Sequence, residues 1–229
     1  MINFSNRAKK FCFDFEGAIF DMDGTLLDSM AMWATFASDF LRSKGITPEQ
    51  NLDKKIEVFT VEQVAAYFAK NYLKTEQITD IILDINKSVL TYYEQKSTLK
   101  PGVAKFLQAL YDHNIRMCVA TATPKKLAYS ALKRNNILHF FPASSGGIIS
   151  CSDIGINKDS TEFYTTTLQK LCTPRVKTIV FEDVLHAVKS AKKAGFKVIA
   201  IYDESSSKNE KKIKNLADKY IYSFNDLLK

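Results

Sequence analysis

The sequence predicts an α/β fold, a doubly wound parallel sheet with an inserted α-helical cap domain. Three observations predict it. Short apolar runs of strand character alternate with helical patterns through most of the 229 residues. About 95 residues separate the first two predicted strands, whereas a parallel crossover needs about a dozen. The pattern between those two strands is helical throughout, so we expect a helical insertion in a parallel core.

We predict five strands, each a short apolar run. They cover residues 17–20, 116–120, 178–181, 197–201 and 219–222. Polar side chains follow the carboxyl ends of the first four strands: Asp21, Thr121, Glu182 with Asp183, and Tyr202 with Asp203. Because the ligand crevice of an open parallel sheet lies at those ends, we expect the functional site there.

Three helices are predicted in the insertion. The first covers residues 29–45, with Ser29 or Asp28 as its N-cap. The second begins at Thr60, where the sequence TVEQ has the spacing of a capping box. The third covers residues 76–95. These helices have no strand among them, so we predict that they form a separate lobe.

The predicted elements divide the chain into a core and a cap. Residues 17–29 and 99–229 form the α/β core domain, and residues 30–98 form the helical cap domain. Residues 1–16 form an N-terminal tail or an extra edge strand. A lobe joined by two linkers beside the ligand crevice can close over it as a lid.

Composition and charge exclude several classes of protein. Hydrophobic residues at 46% and charged residues at 25% are ordinary for a globular chain. A net charge of +7 favours anionic partners, but Lys dominates the basic residues, whereas base recognition relies on Arg. No segment approaches the length of an apolar membrane span. The cysteines show no CxxC pair and suit a reduced cytoplasm: Cys12, Cys118, Cys151 and Cys172.

Two carboxylates follow the first strand, in the sequence IFDMDGTLLD at residues 19–28. Strand alternation points Asp21 and Asp23 to the same side, where they repel by about 3 kcal/mol at 5 Å and a dielectric constant of 20. Asp183 adds a third carboxylate and Glu182 a possible fourth, and an all-oxygen cluster suits Mg²⁺. A calcium loop of the EF-hand type is excluded, because Leu26 stands where it needs Gly.

Companion residues suggest an anion site beside these carboxylates. Thr121 ends the second strand, and Thr123 is predicted to cap a helix whose first residue is Pro124. Lys158 is predicted to open the helix NKDSTEFY. Free amides at a helix N-terminus together with a nearby hydroxyl group bind anions such as phosphate.

These residues resemble, in order and spacing, the four motifs of the haloacid dehalogenase-like superfamily, in its phosphatase and β-phosphoglucomutase-like branch. The resemblance extends from Gly17 to the C-terminus and includes a C1-type cap inserted in a Rossmann-like core. The motif residues are Asp21-Met22-Asp23-Gly24-Thr25-Leu26, then Thr121, Lys158 and Glu182-Asp183.

The resemblance implies a role for each matching residue. Asp21 is the expected nucleophile, and Asp23 the expected acid and base. Thr121 and Lys158 are expected to hold the transferring oxygens. Mg²⁺ is the expected cofactor, with metal-binding residues Asp21, Asp23 through its carbonyl group, Asp183 and Glu182. Expected substrate-binding residues are Gly24, Thr25, Ala122, Thr123, Lys125 and Trp33, the last either a pocket wall or part of the cap packing.

The chain departs from the family pattern in the third and fourth motifs. Asp159 and Thr161 stand where the family commonly has Pro. Val184 and Ala187 stand where it commonly has Ser and Gly. An alanine at position 187 would tighten the approach between the helix and the phosphate loop, which could lower activity without abolishing metal binding.

The implied function is a Mg²⁺-dependent phosphatase acting through an aspartyl-phosphate. Its expected substrate is a small phosphate monoester: a sugar phosphate, a phosphoglycolate-like compound or a nucleotide. Two alternatives stay open, a phosphomutase of the β-phosphoglucomutase type and a weakly active sensor of a phosphometabolite. Trp33 stands where hexose-phosphate mutases of the family carry a cap histidine, which favours the phosphatase. We expect a cytoplasmic protein that is a monomer, or alternatively a dimer, with no nucleic-acid or membrane partner.

Overall fold

A computed structural model describes residues 14–56 and 59–228. The predicted tail or edge strand at the N-terminus falls largely on residues 1–13, which lie outside the described residues. Within the described part, six parallel strands form one sheet in the order β3-β2-β1-β4-β5-β6. They are β1 (Gly17–Phe20), β2 (Arg116–Thr121), β3 (Ile148–Ser150), β4 (Thr178–Glu182), β5 (Lys197–Ile201) and β6 (Lys219–Ile221).

The strand order reverses at β1, which lies in the middle of the sheet. Ile19 of β1 pairs with Cys118 of β2 on one side and with Val180 of β4 on the other. All four residues of β1 are buried. In a sheet of this topology the crevice outside the carboxyl ends of the central strands is the ligand site. The structure therefore confirms the predicted fold and brings Asp21, Thr121 and Asp183 to one edge.

One strand was missing from the predictions. β3 has only three residues, follows two glycines and pairs with β2 at the edge of the sheet. Three residues give too short a run for alternation to show, so the sequence GGIIS carried no strand signal. The predicted boundaries of the other strands differ from the observed ones by at most one residue.

The described helices between β1 and β2 are α1 (Met30–Trp33), α2 (Phe36–Ser43), α3 (Leu52–Lys55), α4 (Val61–Asn71), α5 (Ile78–Gln95) and α6 (Val103–Asp112). The first five, residues 30–95, are called the inserted helices below. The other described α-helices are α7 (Lys125–Arg134), α8 (Cys151–Ile154), α9 (Thr161–Leu171), α10 (Leu185–Lys193) and α11 (Glu210–Leu216). None of the described helices has the length and apolarity needed to cross a bilayer.

The inserted helices confirm one predicted start and correct another. Thr60 caps α4, because its Oγ1 accepts from the Gln63 N–H and the Gln63 side chain accepts from the Thr60 N–H. The single helix predicted over residues 29–45 is wrong, since the chain leaves helical geometry at Thr35 and forms α1 and α2. Ser29 precedes α1 but its side chain makes no cap hydrogen bond.

Two helices near the sheet edge also start later than predicted. Pro124 is the N-cap residue of α7 and not its first residue, and Thr123 caps nothing. Helix α9 begins at Thr161 with Ser160 as its N-cap, so Lys158 lies in the preceding turn and does not open the helix. Instead, the side chains of both residues donate hydrogen bonds to carboxylates, Thr123 to Asp23 and Lys158 to Asp21.

The apolar core joins the inserted helices to one face of the sheet. Phe20 of β1 stacks on Phe181 of β4 with ring centroids 4.5 Å apart. The same continuous cluster of buried side chains includes Phe68 of α4 and Tyr93 of α5. A second cluster, on the opposite face, contains Phe163 of α9. Because apolar burial is continuous from β1 to α5, the inserted helices are held directly above the sheet edge.

Candidate active site

Asp21 lies directly beyond β1 and is paired with a lysine. Its N–H donates to the Phe181 carbonyl at 3.0 Å, which continues the pairing of β1 with β4. Lys158 Nζ donates to Asp21 Oδ1 at 2.5 Å, and both side chains are buried. A buried carboxylate needs such a charged partner. The pair therefore orients the Asp21 side chain at the crevice.

Lys158 also forms an ion pair with Glu182, the last residue of β4. Glu182 is fully buried and accepts hydrogen bonds from the Tyr164 hydroxyl and the Asp183 N–H, each at 3.1 Å. Burial raises the pKa of the Glu182 carboxyl, and the charge on Lys158 opposes this effect without reversing it, so the net shift is upward. Burial also lowers the pKa of Lys158, but the charges on Asp21 and Glu182 outweigh it, so this pKa lies well above its usual range.

Asp183 is the third buried carboxylate at this edge. Thr25 Oγ1 donates to Asp183 Oδ1 at 2.9 Å. The other oxygen, Oδ2, is buried and has no hydrogen-bond partner among the described residues. Burial first, and then the negative charges of Asp21 and Glu182, raise the pKa of Asp183 well above its usual range. An orphaned buried carboxylate oxygen indicates a missing cation or proton.

The three carboxylates fit a divalent cation. Oxygen atoms of Asp21, Glu182 and Asp183 lie within 4.8 Å of one another. Lys158 compensates one of their three negative charges, so two remain when all are ionised. Hard oxygen ligands select Mg²⁺ or Ca²⁺ over soft metals. The donor set, its charge and the orphaned oxygen all fit a hard divalent cation, the class to which the predicted Mg²⁺ belongs.

Gly24 lets the turn after β1 approach Asp183. Its φ is +86°, a conformation that favours glycine. A Cβ atom at this position would lie 2.8 Å from Asp183 Cγ and 3.0 Å from Met30 Cγ. The glycine is therefore required by the close packing of Asp183 as well as by the backbone conformation.

Asp23 occupies a separate environment made of hydroxyl groups. Its Oδ1 accepts from Ser29 Oγ at 2.6 Å and from the Tyr93 hydroxyl at 2.7 Å, and its Oδ2 accepts from Thr123 Oγ1 at 2.8 Å. Burial raises the pKa of Asp23, the hydrogen bonds from Ser29 and Tyr93 lower it, and the charge on Asp21 raises it. The net shift is upward, which favours a carboxyl that can carry a proton.

The remaining predicted site residues differ in their burial and in whether they contact the site described above. Thr121 is buried at the end of β2, and its Oγ1 accepts from the Thr123 N–H at 3.0 Å. Ala122 lies between them and is exposed. Lys125 is exposed at the first residue of α7, and no contact among the described residues ties it to the carboxylates. Trp33 is half-buried and packs against Phe36.

Three hydroxyl side chains of the site were not predicted. They are Tyr93, Tyr164 and Ser29, which was predicted only as an N-cap and not as a partner of Asp23. The sequence does contain a signal for Tyr93. It continues a stripe of every fourth residue along α5, after Ile81, Ile85 and Val89, and all four are buried. A hydroxyl group on an otherwise apolar buried stripe needs a hydrogen-bond partner, which points to a polar site facing that stripe.

Comparisons with known proteins agree on fold and family. A family model described as haloacid dehalogenase-like hydrolase matches residues 18–201. The chain is 26% identical over 191 residues to a phosphorylated carbohydrates phosphatase of Thermotoga maritima, covering 80% of this chain and 83% of that protein. It is 26% identical over 215 residues to (DL)-glycerol-3-phosphatase 1, mitochondrial, of Arabidopsis thaliana, covering 91% and 70%. CbbY from Rhodobacter sphaeroides, solved in complex with phosphate, has the same fold, with a TM-score of 0.76, 21% identity and coverage of 93% of this chain and 96% of that one.

Proposed function

The chain belongs to the haloacid dehalogenase-like hydrolase family and is a phosphoric monoester hydrolase, and we propose that it hydrolyses a small phosphate monoester with Mg²⁺ through an aspartyl-phosphate. The observation that supports the proposal is that two aspartates, two residues apart, have different partners. Asp21 is paired with Lys158, whereas Asp23 is surrounded by hydroxyl groups and has a raised pKa. Relatives named for phosphorylated carbohydrates and glycerol phosphate support a small phosphorylated metabolite as the substrate.

In the first step an Asp21 oxygen attacks phosphorus, and the bond from phosphorus to the ester oxygen breaks. Asp23 gives its proton to the departing alkoxide, which leaves as the alcohol. Lys158 keeps Asp21 oriented and offsets its charge as the anionic ester approaches. We assign to the Thr121 hydroxyl, at the carboxyl end of the strand next to β1, the role of holding a phosphoryl oxygen.

In the second step Asp23, now ionised, takes a proton from water as that water attacks phosphorus. The bond from phosphorus to Asp21 breaks, phosphate leaves, and both aspartates return to their starting states. Mg²⁺, when bound by Asp21, Asp183 and the Asp23 carbonyl, would supply positive charge that offsets the charge of the phosphoryl group. The cap domain, residues 30–98, which contains the inserted helices, would exclude bulk water from the site.

Replacing the nucleophile tests this proposal. Asp21→Asn should abolish phosphate release from p-nitrophenyl phosphate and glycerol 3-phosphate, because a neutral amide cannot form the acyl phosphate. The matched control is Asp112→Asn at an exposed position of α6. Retained Mg²⁺-dependent turnover above about 1% of wild type would overturn the assignment of Asp21. Full activity of the wild-type protein in EDTA would overturn the role of Mg²⁺.

The same assay separates the two alternatives. A phosphomutase would convert a hexose monophosphate to its isomer when supplied with a sugar bisphosphate, without net phosphate release. A sensor would bind phosphate esters without turning them over. Phosphate release from wild-type protein, lost in Asp21→Asn, supports the phosphatase.

A further inference from the structure

A cavity of about 420 Å³ lies between the inserted helices and the core. Its walls come from all five inserted helices and the segments between them, with Ser205 of the core on the remaining side. Ser205 follows β5 and therefore lies at the carboxyl edge of the sheet, where Asp21 and Asp183 are found. The volume is in the ordinary range for small-ligand sites, about 300–1,000 Å³.

One lining residue, Met30, connects the cavity to the catalytic carboxylates. Met30 lines the cavity, and its Cγ packs beside Gly24 at the point where Gly24 meets Asp183. Met30 also directly follows Ser29, whose hydroxyl group donates to Asp23 Oδ1 at 2.6 Å. The cavity therefore adjoins the side of the site where Asp23 must meet the leaving oxygen.

The walls of this cavity are mostly apolar. Met30, Trp33, Phe36, Phe59 and Val64 are among its lining side chains. The only charged groups among the described lining residues are Asp53 and Lys54.

Asp53 already accepts hydrogen bonds within the inserted helices. One of its carboxylate oxygens accepts from the Ser38 N–H at 3.0 Å, and the other accepts from the Ser38 hydroxyl. Each of its oxygens therefore already has a partner, and Lys54 is exposed to solvent. Each ligand hydroxyl group buried here without a partner would cost roughly tenfold or more in affinity.

We propose that this cavity binds an apolar alkyl or aryl group of the leaving alcohol. The preferred substrates are then phosphate monoesters of apolar alcohols, and sugar or polyol phosphates are turned over less efficiently. This inference rests on the proposed phosphatase function and narrows its substrate class. It follows from the polarity of the walls and from the position of the cavity on the leaving-group side of Asp23.

The test is a homologous series of esters assayed with Mg²⁺. We would measure kcat/KM for ethyl, butyl and hexyl phosphate, and for the polyol phosphates with the carbon numbers of the last two. Each added methylene group should raise kcat/KM by about threefold to fourfold while it is buried. Butyl and hexyl phosphate should each also have a higher kcat/KM than the polyol phosphate with the same number of carbons. A flat series, or faster turnover of the polyol esters, would overturn the inference.

A variant of the wall checks that this cavity is responsible. Val64→Asn places an amide group in the apolar wall on α4 and should reduce the hexyl-to-ethyl ratio of kcat/KM by about fivefold or more. Val176→Asn is the matched control, because Val176 is exposed just before β4 and does not line the cavity. A ratio measured on one sample is independent of the fraction that is folded. An unchanged ratio in Val64→Asn would overturn the assignment of the cavity.

The outcomes also separate this inference from the function on which it rests. Phosphate release from p-nitrophenyl phosphate without a chain-length trend would leave the phosphatase intact and remove only the apolar specificity. Absence of release from every ester, p-nitrophenyl phosphate included, would overturn the proposed function and this inference with it.

Discussion

Asp21 and Asp23 stand two residues apart and have entirely different partners. Asp21 is bound by the Lys158 ammonium group, and Asp23 by three hydroxyl groups. An ammonium ion stabilises a carboxylate, whereas burial among neutral donors beside a second carboxylate raises the pKa. The sequence predicted the two carboxylates and the lysine. It did not reveal the hydroxyl cluster, because its members lie up to 100 positions from Asp23 along the chain.

The proton on Asp23 leads to the first prediction. Asp23→Asn should slow formation of the aspartyl-phosphate from ethyl phosphate far more than from p-nitrophenyl phosphate, because a nitrophenolate leaves without protonation. Single-turnover phosphorylation with both esters measures the two rates. Equal losses would mean that Asp23 positions the site and is not its acid.

Gly24 leads to a second prediction, for which the chain provides a matched control. Gly24 and Gly45 have similar positive φ angles, +86° and +76°, but a Cβ atom at Gly45 would meet nothing within 4 Å. Gly24→Ala and Gly45→Ala should therefore share a backbone cost of about 1 kcal/mol, the penalty for a left-handed non-glycine residue. Only Gly24→Ala should displace Asp183 and raise the Mg²⁺ concentration for half-maximal activity, by about tenfold. Equal effects of the two variants would contradict this role.

At the scale of elements, sequence periodicity located long segments and failed on short ones. The α5 pattern was predicted because its signal repeats over several turns, and the start of α4 because Thr60 and Gln63 have the fixed spacing of a capping box. β3 has three residues and α3 has four, too few for a period to appear. The break between α1 and α2 was missed because it falls at Ala34 and Thr35, where no Gly or Pro marks it. The predicted cap of α1 failed for another reason. Ser29 has N-cap chemistry, but its hydroxyl group is used by Asp23.

Helix α5 carries Tyr93 from the insertion to the catalytic carboxylates. Near its C-terminal end, Arg134 of α7 donates to the Gln95 carbonyl at 3.0 Å and Ser130 donates to Glu94 at 3.3 Å. Tyr93 itself is fully buried. The helix is therefore held on the core at the point where it reaches Asp23, which makes Tyr93 a positioning residue on the cap side of the site.

Loss of that hydroxyl group gives the third prediction. Tyr93→Phe keeps the packed ring and leaves Asp23 with donors from Ser29 and Thr123. We expect kcat for ethyl phosphate to fall by about tenfold, the value of one hydrogen bond to a charged group. Turnover of p-nitrophenyl phosphate should fall less, because its first step needs no proton.

The neighbouring residue provides the control. Tyr92 is only half-buried, and its hydroxyl group lies 3.5 Å from the Asp28 carbonyl. Tyr92→Phe should therefore retain wild-type rates with both esters. A loss of the same size for both esters in Tyr93→Phe would indicate a general structural effect and contradict the positioning role.

Over the whole molecule, charge is distributed in two opposite ways. The chain carries a net charge of +7, which attracts anionic esters at long range. The carboxyl edge of the sheet instead holds two uncompensated negative charges when Asp21, Glu182 and Asp183 are ionised. A parallel sheet collects these residues from distant parts of the sequence at one edge, so the cluster is a property of the topology and not of any local segment.

That cluster couples metal binding to the stability of the whole fold. Burial and neighbouring charges raise the pKa of Asp183 well above 3.8. At any pH between 3.8 and that raised value, the folded protein without metal holds a proton that the unfolded chain has released. Its free energy of unfolding must then fall as pH increases across this interval. Bound Mg²⁺ displaces the proton, so stabilisation by Mg²⁺ should grow with pH.

Thermal unfolding in EDTA and in excess Mg²⁺ checks this last prediction. At about one hundred times its dissociation constant, a ligand contributes about 2.7 kcal/mol, which for a chain of this size raises Tm by roughly 5–10 °C. We expect that rise at about pH 8 and a much smaller one at about pH 5, since protons compete for the carboxylates. Asp183→Asn should lose the response at both pH values, and Asp153→Asn, exposed on α8, should retain it. A Mg²⁺ effect of equal size at the two pH values, or one that survives in Asp183→Asn, would mean that the ion binds elsewhere.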